Sequence, residues 1–152
     1  MYVGVDIKET EVAIGLVSEG GKVAFHSFLP VAPEKDPDTI VMEIIFIIKS
    51  LAETVPLELF NDRIQGIGIA IADDIDKSSG SIIGQVRLRL PNDSHREKLE
   101  RHFNLPVYID NRGAAAALAG NEIKDFQGIF SGIIAAALLC KFFHSPKEEF
   151  AL

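Results

Sequence analysis

The chain has 152 residues, 47% of them hydrophobic, with 15 Lys and Arg against 22 Asp and Glu, giving a formal net charge of −7. That length fits one domain able to bury a core without covalent staples. The acidic balance disfavours nucleic-acid phosphates and anionic membranes as partners, and the single Cys140 leaves no intramolecular disulfide.

In chain order, the Val- and Ile-rich runs Tyr2–Ile7 and Val12–Ser18 predict two strands, Gly20-Gly21 a hairpin turn, and Lys22–Val31 a third strand. Pro30, Pro33 and Pro37 mark a loop, after which Asp38 or Thr39 caps a helix running to about Thr54, with Pro56 beyond its stop. The apolar residues of this helix wrap more than one face, which predicts cover on two sides. Ile64–Ala72 is a continuous apolar run of the kind buried in a parallel sheet. Its Gly66 and Gly68 predict close approach of another backbone. Asp76–Leu90 reads as a hairpin turning at Ser78-Ser79-Gly80, and Asp93 or Ser94 caps a helix His95–Phe103. Val107–Asp110 is the next strand, Ala114–Gly120 a helix and Phe130–Phe143 a last helix, leaving His144–Leu152 as a charged tail.

Three strands in meander, followed by alternating helix and strand, predict an α/β fold of the ribonuclease H-like, actin-like ATPase type. The expectation is a single lobe over residues 1–143, with a mixed five-stranded sheet, helices on both faces and an inserted hairpin. The tail is 144–152. No basic leader precedes the first strand, and Ile129–Phe143 is interrupted by Lys141 and shorter than the about 20 residues of a membrane span. A cytoplasmic protein without membrane or nucleic-acid partners is expected. Mean hydropathy is +0.20. Together with two helices apolar nearly all round, Thr39–Thr54 and Phe130–Phe143, this predicts either a dense core or a homodimer interface, and we expect the homodimer.

Four segments carry a family resemblance. They are Val3–Thr10 (VGVDIKET), Gly66–Asp76 (GIGIAIADDID), the hairpin from Ser79-Gly80 to Pro91-Asn92, and Leu105–Gly120 (LPVYIDNRGAAAALAG). In this order they resemble the VGVDIGGT, GIG-x-x-x-PGPVD, ETG…PN and LPV-x-V-[DE]-N-D-A-N-A-A-A-L-A motifs of the ROK family of sugar kinases and regulators. The resemblance covers about residues 2–120 and implies one lobe of a sugar kinase. Its departures fall on the chemistry. Lys8-Glu9 stands where the family has the Gly-Gly pair whose backbone approaches ATP phosphates, and Glu9 repels phosphate. Ala72-Asp73-Asp74 replaces Pro-Gly-Pro, and Ala114 replaces the second Asn. The family's catalytic Asp becomes Arg112, whose pKa above about 12 prevents it from taking a proton from a sugar hydroxyl. Nothing resembles the second lobe with its GTG-x-GGG loop; Phe130–Phe143 resembles instead the helix that returns from that lobe to pack on the first.

The resemblance implies a non-catalytic lobe acting by small-ligand binding or protein assembly, with a sugar or nucleotide as the small molecule. No catalytic residue is assigned. The remnant cleft would be lined by Asp6, Thr10, Asp74, Asp110, Asn111 and Arg112. The carboxylates at strand ends should converge. They read either as a Mg²⁺ site at Asp6, Asp74 and Asp110, or as turn and cap residues paired with Lys8 or Arg112. No resident cofactor is otherwise expected. Arg112 with Lys8 reads either as an anion pocket or as neutralisation of Asp6 or Asp110; neutralisation is favoured because buried carboxylates without partners are costly. The four histidines lack metal-ligand spacing, and His95 and His102 are expected at the surface. Two alternatives share the superfold. One is a metal-dependent nuclease resembling the YqgF/RuvX type, for which Asp6 fits one ligand while Asn111 and Phe130-Ser131-Gly132 lack the others. The other is a kinase lobe completed by a separate chain.

Overall fold

The computed structural model describes residues 1–8, 10–32, 34–54, 64–71, 74–75, 82–83, 92–122, 128 and 130–143. Strands β1 (Tyr2–Ile7), β2 (Glu11–Val17) and β3 (Val23–Pro30) form an antiparallel meander. Helix α1 (Pro37–Thr54) leads to β4 (Ile67–Ile71), which lies parallel to β1. A two-residue ladder of β5 (Asp74–Ile75) and β6 (Ile82–Ile83) comes next. Then follow α2 (Asn92–Phe103), β7 (Val107–Asn111) parallel to β4, α3 (Arg112–Glu122) and α4 (Ser131–Phe143). The five long strands order as β3-β2-β1-β4-β7, the mixed sheet expected from the sequence.

The two faces of this sheet differ in residue size, and that difference decides how the helices pack. One face carries Val3, Val5, Ile7, Val12, Ile14, Leu16, Ile67, Ile69, Ile71 and Val107, and meets Ile40, Val41, Ile44, Ile45, Ile48 and Leu51 of α1 with Leu99 of α2. Because side chains alternate along a strand, the opposite face holds Gly4, Asp6, Ala13, Gly15, Gly68, Ala70 and Asp110 in register, with the larger Tyr2, Val17 and Tyr108 beside them. On this small-residue face α4 settles against backbone. A Cβ built on Gly4 would overlap the carbonyl of Ile133, and one on Gly68 would overlap the carbonyl of Ala136. Gly66 is tight as well, its Cβ position 3.1 Å from the Cys140 Sγ. The close approach expected at Gly66 and Gly68 is thus the seat of α4, whose Ile133 and Ala135–Cys140 are buried against the sheet and against Ala115 and Ala119 of α3.

Several boundaries move for identifiable reasons. Asp36, not Asp38 or Thr39, caps α1: its carboxylate accepts from the Asp38 amide at 3.1 Å and the Thr39 hydroxyl at 3.2 Å. Pro37 occupies the first helical position, where its missing N–H costs nothing. Helix α2 starts at Asn92, so Asp93 and Ser94 fall in its first turn rather than capping it. It ends at Asn104, whose φ of 52° is the left-handed conformation that closes helices. Helix α3 begins two residues earlier than expected, capped by Asn111. The cover expected on two sides of α1 is one-sided among the described residues, with Met42 and Phe46 left facing solvent. The hairpin arms begin at Asp74 rather than Asp76, and the expected turn at Ser78-Ser79-Gly80 lies outside the described residues, as do Glu9, Asp73 and the tail 144–152. No described helix is long and apolar enough to cross a membrane.

Candidate functional site

The sheet register lines up Asp6 on β1, Ala70 on β4 and Asp110 on β7. All three face α3 and α4, near the carboxyl ends of their strands, where open α/β sheets place ligands. Asp6 is 1% exposed. Its carboxylate is forked by Arg112, whose Nε donates to Oδ1 at 2.6 Å and whose second nitrogen donates to Oδ2 at 3.3 Å. Lys8 stands further off, its Nζ 3.9 Å from Oδ2. Of the two partners the sequence leaves open for Arg112, Asp6 is the one it takes. The planar guanidinium suits this two-point contact.

Two helix starts close over this pair. Arg112 and Gly113 open α3, and Ser131 and Gly132 open α4. Gly132 lies directly on the Asp6 carboxylate; a Cβ there would overlap Oδ2. A cavity of about 260 Å³ remains, lined by Asp6, Ala70, Arg112, Gly113, Ala116, Ser131, Gly132 and Ala135. Backbone N–H groups of the first turn of a helix are unpaired within it and carry partial positive charge. The cavity therefore sets one buried, paired carboxylate and the half-exposed Arg112 between two helix starts, where the Ala114 and Ser131 amides are already taken by Asn111 Oδ1 and the Gly128 carbonyl.

The other residues named from the sequence lie apart from this cavity or serve the backbone. Asn111 caps α3, its Oδ1 accepting from the Ala114 amide at 2.6 Å. Asp110 is buried and its Oδ1 accepts from the Asn111 amide at 2.8 Å, fixing the strand-to-helix turn. Thr10 is exposed on the β1–β2 turn, with its carbonyl accepting from Val31. Asp74 sits in β5, and its side chain lies outside the described residues. Asp6 and Asp110 are separated by the intervening strand, about 9.6 Å at two strand spacings. Among the described residues no group of three His, Cys, Asp or Glu is placed to hold a metal ion.

Sequence reasoning did not foresee that Ser131 and Gly132 line this cavity, although a Ser-Gly pair opening an apolar helix was the available signal. The surface placement expected for His95 is wrong: it is 6% exposed, because α2 turns that face toward α1. Its Nε2 lies 2.6 Å from Asp38 Oδ1, a hydrogen bond that holds the Asp38 carboxyl below the usual carboxylate range. His102 is exposed as expected. With Asp38, Lys98 and Arg101, the two histidines line a shallow hollow of about 560 Å³. It lies on the α1–α2 layer, across the sheet from Asp6. Burial pushes the Cys140 thiol up to about 12, in keeping with a core residue rather than a reactive one.

Comparison with known proteins fits this architecture. A xylose repressor from Caldicellulosiruptor bescii is 29% identical over 116 residues, which is 76% of this chain and 29% of the repressor. The chain thus spans less than a third of that relative. A ROK family glucokinase from Streptomyces griseus, solved with glucose and AMPPNP, superposes with a TM-score of 0.65 at 24% identity, over 84% of this chain and 38% of the kinase. A ROK family transcriptional regulator, a homologue of the E. coli MLC protein, gives 0.61 at 19% identity, over 78% of this chain and 29% of the regulator. These two show a shared fold, the actin-like ATPase type, of which this chain forms a single partial lobe. Since the ROK family model itself matches residues 2–136, nearly all of the described sheet and helices, this chain belongs to the ROK family.

Proposed function

We propose that this lobe works by recognition rather than by phosphoryl transfer, and that the cavity over Asp6 receives a small sugar-type ligand. The observation that carries this reading is the Arg112–Asp6 fork. Arg112 stands where the family resemblance puts the proton-accepting carboxylate, and it has no acceptor to offer. Its guanidinium is held on Asp6 at 2.6 Å, so Asp6 is not free to take that role.

The dimensions support a small ligand. A cavity of about 260 Å³ lies below the roughly 300–1,000 Å³ of pockets for drug-sized molecules. It suits a single sugar ring better than a nucleotide triphosphate. Asp6, Arg112 and Ser131 are the polar residues lining the cavity, and their side chains are of the kind that hydrogen-bond ring hydroxyls. The sugar class also agrees with the xylose-repressor relative and with the glucose-bound glucokinase that shares the fold. The nuclease alternative needs Asp6 free for a metal, and a kinase completed by another chain still meets the guanidinium of Arg112.

A coupled assay for sugar-dependent ATP turnover, run with xylose and a panel of hexoses, should stay at background. Turnover that disappears in Asp6→Asn would overturn the non-catalytic reading. In parallel, thermal-shift titration should show at least one sugar raising Tm, since a ligand that binds only the folded state stabilises it. A flat response across pentoses, hexoses and their phosphates would remove sugar as the ligand class.

A further inference from the structure

Helix α1 leaves one stripe uncovered. Of its exposed residues, Thr39, Met42, Phe46, Lys49 and Glu53 follow one another at spacings of three, four, three and four, the repeat of a helix–helix seam, with Asp38 and Thr54 exposed beside them. Seam spacing alone is common on helix surfaces. The centre of this stripe is what distinguishes it: Phe46 is 71% exposed and Met42 49%, the two most exposed large apolar side chains among the described residues. They are one turn apart and form one contiguous patch.

The flanking charges indicate what covers that patch. Asp38 lies at the amino-terminal end with its side chain 72% exposed, and Lys49 and Glu53 lie at the carboxyl end. If a second α1 is laid antiparallel across the patch, with Met42 of each copy opposite Phe46 of the other, residue 39 faces residue 49. Lys49 of each copy then lies beside Asp38 of the other, whose carboxylate remains 72% exposed while its Oδ1 bonds His95. Helix dipoles also oppose favourably in this arrangement. A parallel copy would set Asp38, Lys49 and Glu53 each against its own like charge.

We propose that this stripe is the seam of a homodimer in which two copies pack their α1 helices antiparallel across Met42 and Phe46. Helix α4, the other apolar helix considered for such a role, is already buried by the sheet and α3. The seam lies on the opposite layer from the Asp6 cavity, so it is independent of the ligand reading and its failure leaves that reading untouched.

Sedimentation velocity across roughly 1–200 µM tests the proposal, the range where a small interface associates. The wild-type chain should shift from monomer to dimer. Phe46→Glu should remain monomeric with unchanged circular dichroism and with the wild-type Tm at concentrations where the wild type is itself monomeric. Orientation is read by oxidative cross-linking, for which the native Cys140 is buried and silent. An equimolar mixture of Met42→Cys and Phe46→Cys should form the mixed disulfide in preference to either self-pair. The proposal is overturned by a wild-type chain that stays monomeric throughout, by a dimer that survives Phe46→Glu, or by Phe46→Cys cross-linking to itself more readily than to Met42→Cys.

Discussion

Removing Arg112 tests the Asp6 cavity most directly. In Arg112→Ala the Asp6 carboxylate, 1% exposed, loses a two-point partner and keeps only Lys8 at 3.9 Å. Breaking a buried ion pair by deleting one member costs about 3–5 kcal/mol, because the remaining charge stays desolvated. Two features lower that figure here. The Arg112 side chain is 41% exposed, so water enters where it leaves, and the Lys8 ammonium relaxes toward the carboxylate. The expected loss is about 2–3 kcal/mol, or roughly 5–10 °C in Tm for a domain of this size. Urea denaturation of the four corners of an Asp6→Asn and Arg112→Ala cycle isolates the pair. Asn needs no cation, so the double variant should be about 2 kcal/mol more stable than the sum of the single losses predicts. Arg112→Lys should recover only part of the loss, since an ammonium cannot fork a carboxylate. An additive cycle, or an Arg112→Ala loss within about 0.5 kcal/mol of zero, would show that the fork carries no structural weight.

Two further outcomes follow from packing and ionisation. Gly68→Ala should cost at least about 3 kcal/mol, because the new methyl meets the backbone carbonyl of Ala136 rather than a side chain that can turn aside. Gly120→Ala meets nothing within 4 Å in α3 and should gain about 0.5–1 kcal/mol, so the two Tm shifts should have opposite signs. The Cys140 thiol should resist alkylation in the native state and react once urea unfolds the chain. Its folded value of about 12 exceeds its unfolded 9.0, so above pH 9.0 the unfolded state releases a proton that the folded state retains. Stability should therefore be intact below that pH and fall by about 1.4 kcal/mol per unit above it, with a shallower fall in Cys140→Ala. A pH slope identical in the two proteins would place the alkaline sensitivity elsewhere, with Tyr2 the next group whose burial raises its value.

The strands were legible because buried parallel strands write themselves as apolar runs: Ile67–Ile71 is unbroken, and Tyr2–Ile7 is interrupted only by Asp6. Gly66 and Gly68 also announced a close neighbour, though not that α4 was it. The start of α1 was misplaced by two residues because Asp36, Asp38 and Thr39 are all competent caps; Pro37 at the first helical position settles the choice. The cleft was legible only as a set of strand ends. Pairing Asp6 with Arg112 spans 106 positions in the sequence, and no local pattern distinguishes it from pairing with Asp110. Thr10 was grouped with the cleft by its place in a family motif, yet the turn carries it outward to solvent. The buried face of α2 is legible in the spacing, since Leu99 and Phe103, four and eight residues beyond His95, pack on the core; what the sequence does not show is the partner, Asp38 on α1, that lets a histidine sit there.

Arg112 occupies the first position of α3, where a cation is the wrong choice on local grounds. The helix start already presents partial positive charge, and adding a guanidinium there costs about 0.3–1 kcal/mol. The start of α4 brings a second positive end to the same cavity, with Gly132 resting on the carboxylate. Among the described residues lining the cavity, Asp6 is the carboxylate that offsets these sources of positive potential, with Asp110 held on the Asn111 amide at the strand end. A neutral residue at 112 would leave Asp6 between two helix starts with Lys8 nearby, at the cost of about 2–3 kcal/mol argued above. A neutral residue at position 6 would leave Arg112 facing them unaided, with its guanidinium driven into solvent and the cavity wall gone with it. The pair is thus asymmetric. Asp6 is what makes Arg112 tolerable at a helix start, and Arg112 is what fixes the cavity's shape and removes the acceptor a kinase would need.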